Sequence, residues 1–150
     1  MELHVETNPA FNTVTAYGHD YIEINAVPYS TAIYFSPEGE IKTWAVETAA
    51  DINADLLREV AGLTQAVSDP MAFLDAQPAS PKPIDAPEVI LIGTGPRQHF
   101  LASGVTRELQ DMGIGIETMD TRAAARTYNI LMAEGRRVIA ALLPPKDKAQ

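Results

Sequence analysis

An apolar run without alternation, Val89-Ile90-Leu91-Ile92, stops on Gly93-Thr94-Gly95-Pro96. A strand with one wet face alternates, so this run reads as a strand covered on both faces, which means a sheet packed between layers. The following residues fit that reading. Ser103 is placed to cap a helix carrying Val105, Leu109 and Met112, and Gly113 to end it in the left-handed conformation. Ile114 to Met119 alternates as the next strand; Asp120 or Thr121 then caps a helix that runs to Glu134 and stops at Gly135. Val138 to Leu143 is a last strand closed by Pro144-Pro145. Residues 88–145 are thus a β-α-β-α-β series, whose strands the crossover rule makes parallel.

The preceding residues follow another period. Phe11–Tyr17 and Tyr21–Asn25 alternate about Gly18-His19-Asp20, and Ser30–Phe35 and Ile41–Val46 flank Ser36-Pro37-Glu38-Gly39-Glu40, so two hairpins are expected. Leu56, Leu57, Val60, Leu63 and Val67 share a helical face over 54–67, with Asn53 as N-cap. Five prolines between Ser68 and Pro87 permit neither a helix nor a central strand, so 68–87 reads as an extended crossover. Two small domains would each be poor in core. The chain is therefore expected to be one domain over 1–150: a β-rich subregion with one helix (1–67), the crossover (68–87), the β-α-β-α-β subregion (88–145) and a tail (146–150).

Charge divides the chain at the same place. Residues 1–87 hold three Lys or Arg against thirteen Asp or Glu, and residues 88–150 hold eight against seven, within a total of −9. A phosphate backbone would be repelled, so no nucleic-acid partner is expected. Cysteine is absent, which excludes disulfides, thiolate metal sites and a cysteine nucleophile. The first six residues carry neither a basic region nor an apolar one, and the longest apolar run, Val138–Leu143, is far short of the roughly 20 residues of a membrane span. A soluble, cytoplasmic chain without direct membrane insertion is expected.

Gly93-Thr94-Gly95 after a buried strand invites a dinucleotide reading, but Gln98 stands where the third glycine belongs and Pro96 removes an N–H from the loop. No cofactor is expected. The loop still lies at the carboxyl end of a parallel strand, so a small anion held by Gly93, Gly95, Arg97, His99, Thr121 and Arg122 is an alternative to a plain strand-exit turn. His4, His19 and His99 stand singly, Ser103 lacks a nucleophile-elbow surround, and no metal-ligand spacing occurs, so neither catalytic nor metal residues are nominated. Asp51/Asp55 and Glu38/Glu40 read as solvated faces. Ala124, Tyr128 and Leu131 form a packing stripe. Arg122 and Arg126 repeat at i, i+4 without an acidic partner between them, which points to an outside carboxylate or anion against the bland reading of solvated arginines. Asn129, a poor helix former, is expected to make a specific side-chain bond.

Asp120-Thr121, Tyr128-Asn129-x-Leu131, Glu134-Gly135-Arg136 and Ala140-Ala141-Leu142-Leu143-Pro144-Pro145 together resemble a family of unknown function numbered 498, which includes mitochondrial respiratory complex I assembly factor three. The resemblance is close over 88–145 and looser over 11–46. It implies an α/β fold of three layers, with a mixed central sheet containing an antiparallel strand and an added antiparallel β layer. It also implies an interaction role, with respiratory-complex subunits as partners and a position peripheral to a membrane complex. Ala125 and Met132 stand where mitochondrial members are expected to carry cysteine, so no thiol-dependent role carries over. The matched positions Asp120, Thr121, Tyr128, Asn129, Glu134, Gly135 and Arg136, with Gly93 and Gly95 in the strand-exit loop, are the candidate ligand or partner site. The first expectation is a non-catalytic protein-interaction module; the alternative is a small-molecule or anion-binding protein or enzyme using the Gly93–Gly95 loop.

Overall fold

The computed structural model of the chain describes residues 11–63 and 86–146. β6 (Val89–Gly93) is the apolar run, and it lies between β8 (Val138–Leu142) and β7 (Gly115–Met119), parallel to both. β8 pairs antiparallel with β4 (Ile33–Phe35), which pairs with β5 (Lys42–Thr43), giving the mixed order β5-β4-β8-β6-β7. The crossover rule therefore holds for the three C-terminal strands. The antiparallel members come from the first half of the chain, so one sheet draws on both halves. The crossover expected at 68–87 lies outside the described residues except for 86 and 87, and so does the tail except for Lys146.

Alternation on the strands assigns the two faces. Ile90, Ile92 and Ala141 look toward α1 (Ala54–Ala61) and α2 (Ser103–Asp111), where Trp44, Ile52, Leu57 and Leu109 complete one core. Leu91, Val138, Ala140 and Leu142 look the other way, onto Ala124, Ala125 and Tyr128 of α3 (Thr121–Ala133). Alanines at 124, 125 and 140 bring the helix axis close to the sheet. Beside α3 lies a three-stranded antiparallel sheet, β1 (Val14–Tyr17), β2 (Ile22–Ile24) and β3 (Val27–Tyr29), whose Val14, Tyr17, Ile22 and Ile24 join the same core. The fold is α/β with a mixed central sheet and an added antiparallel layer, as the family resemblance implies.

Several local expectations need correction. α1 ends at Ala61, not Val67: Gly62 takes φ +84°, its N–H and that of Leu63 bonding the Glu59 and Arg58 carbonyls. Residues 64–67 lie outside the described residues. Asn53 does cap α1, accepting from Leu56 N–H at 2.9 Å. Ser103 is the first residue of α2 instead of its cap; Ala102 holds that position without a side-chain bond. The first hairpin has a third strand, because Asn25 (φ 51°) and Ala26 (φ 69°) make a tight left-handed turn into β3. In α3 the buried stripe runs through Ala124, Ala125, Tyr128, Asn129 and Met132, with Leu131 only partly buried.

Candidate functional site

The nominated residues gather in three places along α3. At its start, Asp120 caps the helix by accepting from Ala123 N–H at 2.9 Å. The fully buried Thr121 hydroxyl donates to the Leu143 carbonyl (2.8 Å) and accepts from Gly95 N–H (2.9 Å), while Thr121 N–H returns to the Gly95 carbonyl (2.9 Å). One side chain thus knots the exits of β6 and β8 to the start of α3. Gly93 must be glycine for this: a Cβ there would come within 2.9 Å of Thr121 Cα and of the Leu142 side chain. Thr94 N–H bonds the Met119 carbonyl at 2.9 Å, and Pro96 has no N–H. The donors that a phosphate would need from residues 94–96 are therefore occupied. Arg97 and His99 are exposed on the loop, and Thr94 Oγ1 donates to the Arg97 carbonyl (2.7 Å) and accepts from His99 N–H (3.1 Å).

The middle of α3 faces the small sheet. The Asn129 amide accepts from Val14 N–H (2.9 Å) and donates to the Val14 carbonyl (2.8 Å), which makes it a side-chain substitute for a neighbouring strand. Next to it Tyr128, fully buried, donates to the Asn12 carbonyl at 2.7 Å and meets Phe35 edge to face at 4.9 Å. Burial raises the Tyr128 hydroxyl well above the ordinary tyrosine range, so it stays neutral and a donor. Arg122, expected beside the Gly93 loop, instead turns to the first hairpin, where it donates to the Gly18 carbonyl (3.1 Å) and lies 5.9 Å from the centre of the Tyr17 ring. Arg126 donates to the Tyr17 hydroxyl at 2.9 Å. The partners of the arginine pair are thus a carbonyl and a phenol of the first hairpin, where the sequence pointed to a carboxylate or anion.

Sequence reasoning missed Asn12. Its amide donates to the Ser36 and Gly39 carbonyls (2.9 Å each) and accepts from the Asn25 amide (3.0 Å), joining both hairpins to Tyr128. The only trace in the sequence is an asparagine inside an otherwise alternating strand.

At the end of α3, Gly135 takes φ +79°, and Gly135 and Arg136 N–H bond the Met132 and Leu131 carbonyls at 3.0 Å. Glu134 is the exposed C-cap. Arg136 Nε lies 2.7 Å from Glu88 Oε2, an exposed pair that holds Glu88 below its ordinary pKa and raises that of Arg136. A cleft of about 570 Å³ opens beside Gly135 and Arg136, with Phe11, Val60, Pro87 and Met132 in its wall. Gly93, Gly95 and Thr121 lie elsewhere, so the nominated set does not converge on one cavity. Among the described residues no three His, Asp or Glu come together as a metal would need.

The profile of a family described as "Protein of unknown function (DUF498/DUF598)" matches residues 14–143. The chain belongs to this family. Over 57 residues it is 47% identical to an uncharacterized protein of Rhodobacter capsulatus, which is 38% of this chain and 46% of that one. It is 43% identical over 58 residues to the human NADH dehydrogenase [ubiquinone] 1 alpha subcomplex assembly factor 3, covering 39% of this chain and 32% of the factor. The match thus spans less than half the length of these curated relatives. Among solved structures, a Bordetella pertussis protein described as a Mth938-like domain is similar at 57% identity and a TM-score of 0.76, over 98% of this chain and 94% of its own. A Bordetella parapertussis protein is similar at 52% identity and 0.74, over 92% and 99%.

Proposed function

We propose that the chain is a non-catalytic protein-interaction module that serves the assembly of a respiratory complex. One observation carries the reading: the part of the family motif on the inner face of α3 points inward, and only its C-terminal end, Glu134 to Arg136, is exposed. Thr121, Tyr128 and Asn129 are buried and bonded to main-chain groups of other elements, so they fix the shape of the molecule instead of facing a substrate. Recognition then falls to the outer surface, where Phe100 is 85% exposed and Ile130, on the solvent side of α3, is 59% exposed. The partial likeness to an assembly factor for NADH dehydrogenase supports the choice of partner. None of the described helices is long and apolar enough to cross a membrane, in keeping with attachment to a membrane complex through one of its proteins. The small-molecule alternative on the Gly93–Gly95 loop has weaker support, because Thr121 and Met119 already hold that loop's donors and Arg122 points away.

Affinity capture of the tagged chain from its own cells after mild crosslinking, with soluble and detergent-extracted fractions identified by mass spectrometry, tests the proposal. Subunits of the quinone oxidoreductase are expected, and Ile130→Glu or Phe100→Ser, both folded, should lower their recovery severalfold. A capture without those subunits in either fraction would overturn it.

A further inference from the structure

The two sheets have four outer edges, and three are closed by identifiable devices. The free side of β1 is met at Val14 by the Asn129 amide. In β3, Ile24 and Val27 close a two-residue turn, so Pro28, opposite Glu23, turns its backbone outward and has no N–H to offer. β5 is two residues long and carries Lys42. Among the described residues nothing closes β7. It pairs with β6 over five residues, and its sequence, Gly-Ile-Glu-Thr-Met, contains no proline and no lysine.

In a parallel pair each residue turns both backbone groups to the same side. Gly115 N–H bonds the Glu88 carbonyl and the Met119 carbonyl accepts from Thr94, so 115, 117 and 119 face β6. Ile116 and Thr118 therefore present N–H and C=O outward, and none of the described residues bonds those four groups. The Gln98 amide reaches only the Thr118 hydroxyl, at 2.9 Å. Glu117, exposed between them, sets the preference for a partner. A second copy aligned antiparallel over all five residues would place Glu117 against its own counterpart, a like-charge pair at close spacing. A strand with a lysine or arginine at that position would place opposite charges together.

We propose that the β7 edge is a docking site for an extended segment of another protein that adds as a sixth strand, with a cationic side chain opposite Glu117. The inference rests on the protein-binding reading above and adds the sheet edge to the exposed side chains of Phe100 and Ile130 as a contact. Two capped nine-residue peptides of alternating Thr and Val, one with Lys and one with Glu at the centre, provide the probes. Titrated into the ¹⁵N-labelled chain, the Lys peptide should shift and protect the Ile116 and Thr118 amides, and bind about fivefold tighter than the Glu peptide. Glu117→Lys, on an exposed side chain, should reverse the order. No binding at millimolar peptide, shifts centred elsewhere, or equal affinities would overturn the proposal. Crosslinked capture by a folded Thr118→Pro chain separates the two readings. Oxidoreductase subunits captured at the full wild-type level overturn the edge and leave the interaction module standing. Peptide binding at Ile116 and Thr118 without captured subunits sustains the edge and removes the respiratory partner.

Discussion

On the α1 and α2 face of the central sheet, Ile52, Leu57, Val60, Ile90, Ile92 and Leu109 meet through apolar contact; on the α3 face, Tyr128 and Asn129 bond main chain 116 and 115 residues away. The first face is an ordinary oily core, tolerant of any side chains of fitting volume. The second combines apolar burial with directional bonds that only one docking of the small sheet satisfies. Stability can come from either face, but the position of β1, β2 and β3 depends on the second. A buried polar atom on the first face fits the contrast, since no described residue gives Trp44 Nε1 an acceptor.

The sharpest way to break this comparison is Asn129→Leu, which adds apolar surface yet orphans the Val14 N–H and carbonyl. A loss of about 4 kcal/mol is expected in urea unfolding, from two buried groups at about 1–3 kcal/mol each. Leu57→Ala on the other face should cost about 3 kcal/mol. The two should differ in kind as well: Leu57→Ala leaves the amide spectrum of β1 to β3 in place, whereas Asn129→Leu disperses it.

The same contrast explains what was legible in the sequence. β6, α2, β7, α3 and β8 follow from apolar period and from Gly113 and Gly135, because those signals lie within a few residues of what they determine. The first two hairpins and the Asn53 cap are local in the same way. The far ends of the Asn12, Tyr128 and Asn129 bonds are not, since nothing near Asn129 names Val14 as its partner. Nor does a sequence announce Ala26 at φ 69°, where glycine or asparagine is the usual choice. Arg122 departs from expectation for a related reason: its place just past the end of β7 suggests the Gly93 loop, but the helix face it occupies looks at Tyr17 and Gly18. For Tyr128 and Asn129, then, the packing stripe and the need for a side-chain bond are legible in the sequence, while the partners of those bonds are not.

Smaller effects sharpen the comparison. Tyr128→Phe keeps the ring against Phe35 and removes only the bond to Asn12, so about 1.5 kcal/mol should be lost. In the wild type, burial raises the Tyr128 pKa in the folded state, so folding keeps the phenol neutral. That contribution is full below the unfolded tyrosine pKa of about 10 and is lost as pH rises above it. Alkaline difference spectra should show Tyr128 ionising only together with unfolding, and the Phe variant should lose less stability there. Ala26→Gly relieves the left-handed turn, and a gain of about 1 kcal/mol is expected in thermal unfolding. Least of all should depend on the exposed Glu88–Arg136 pair. Its lowered carboxyl pKa contributes above the unfolded value and fades as pH falls through the folded one, so Glu88→Gln should flatten the acid side of the stability profile slightly.

Native-state hydrogen exchange at the Val14 amide is the most direct measurement of whether the family motif fixes the fold. If Asn129 holds β1 as a strand would, Val14 exchanges only with global unfolding, at the same free energy as Ile90 and Ile92, and loses that protection in Asn129→Leu. A Val14 amide that exchanges as fast as a frayed edge in the wild type would contradict a structural role for Tyr128 and Asn129.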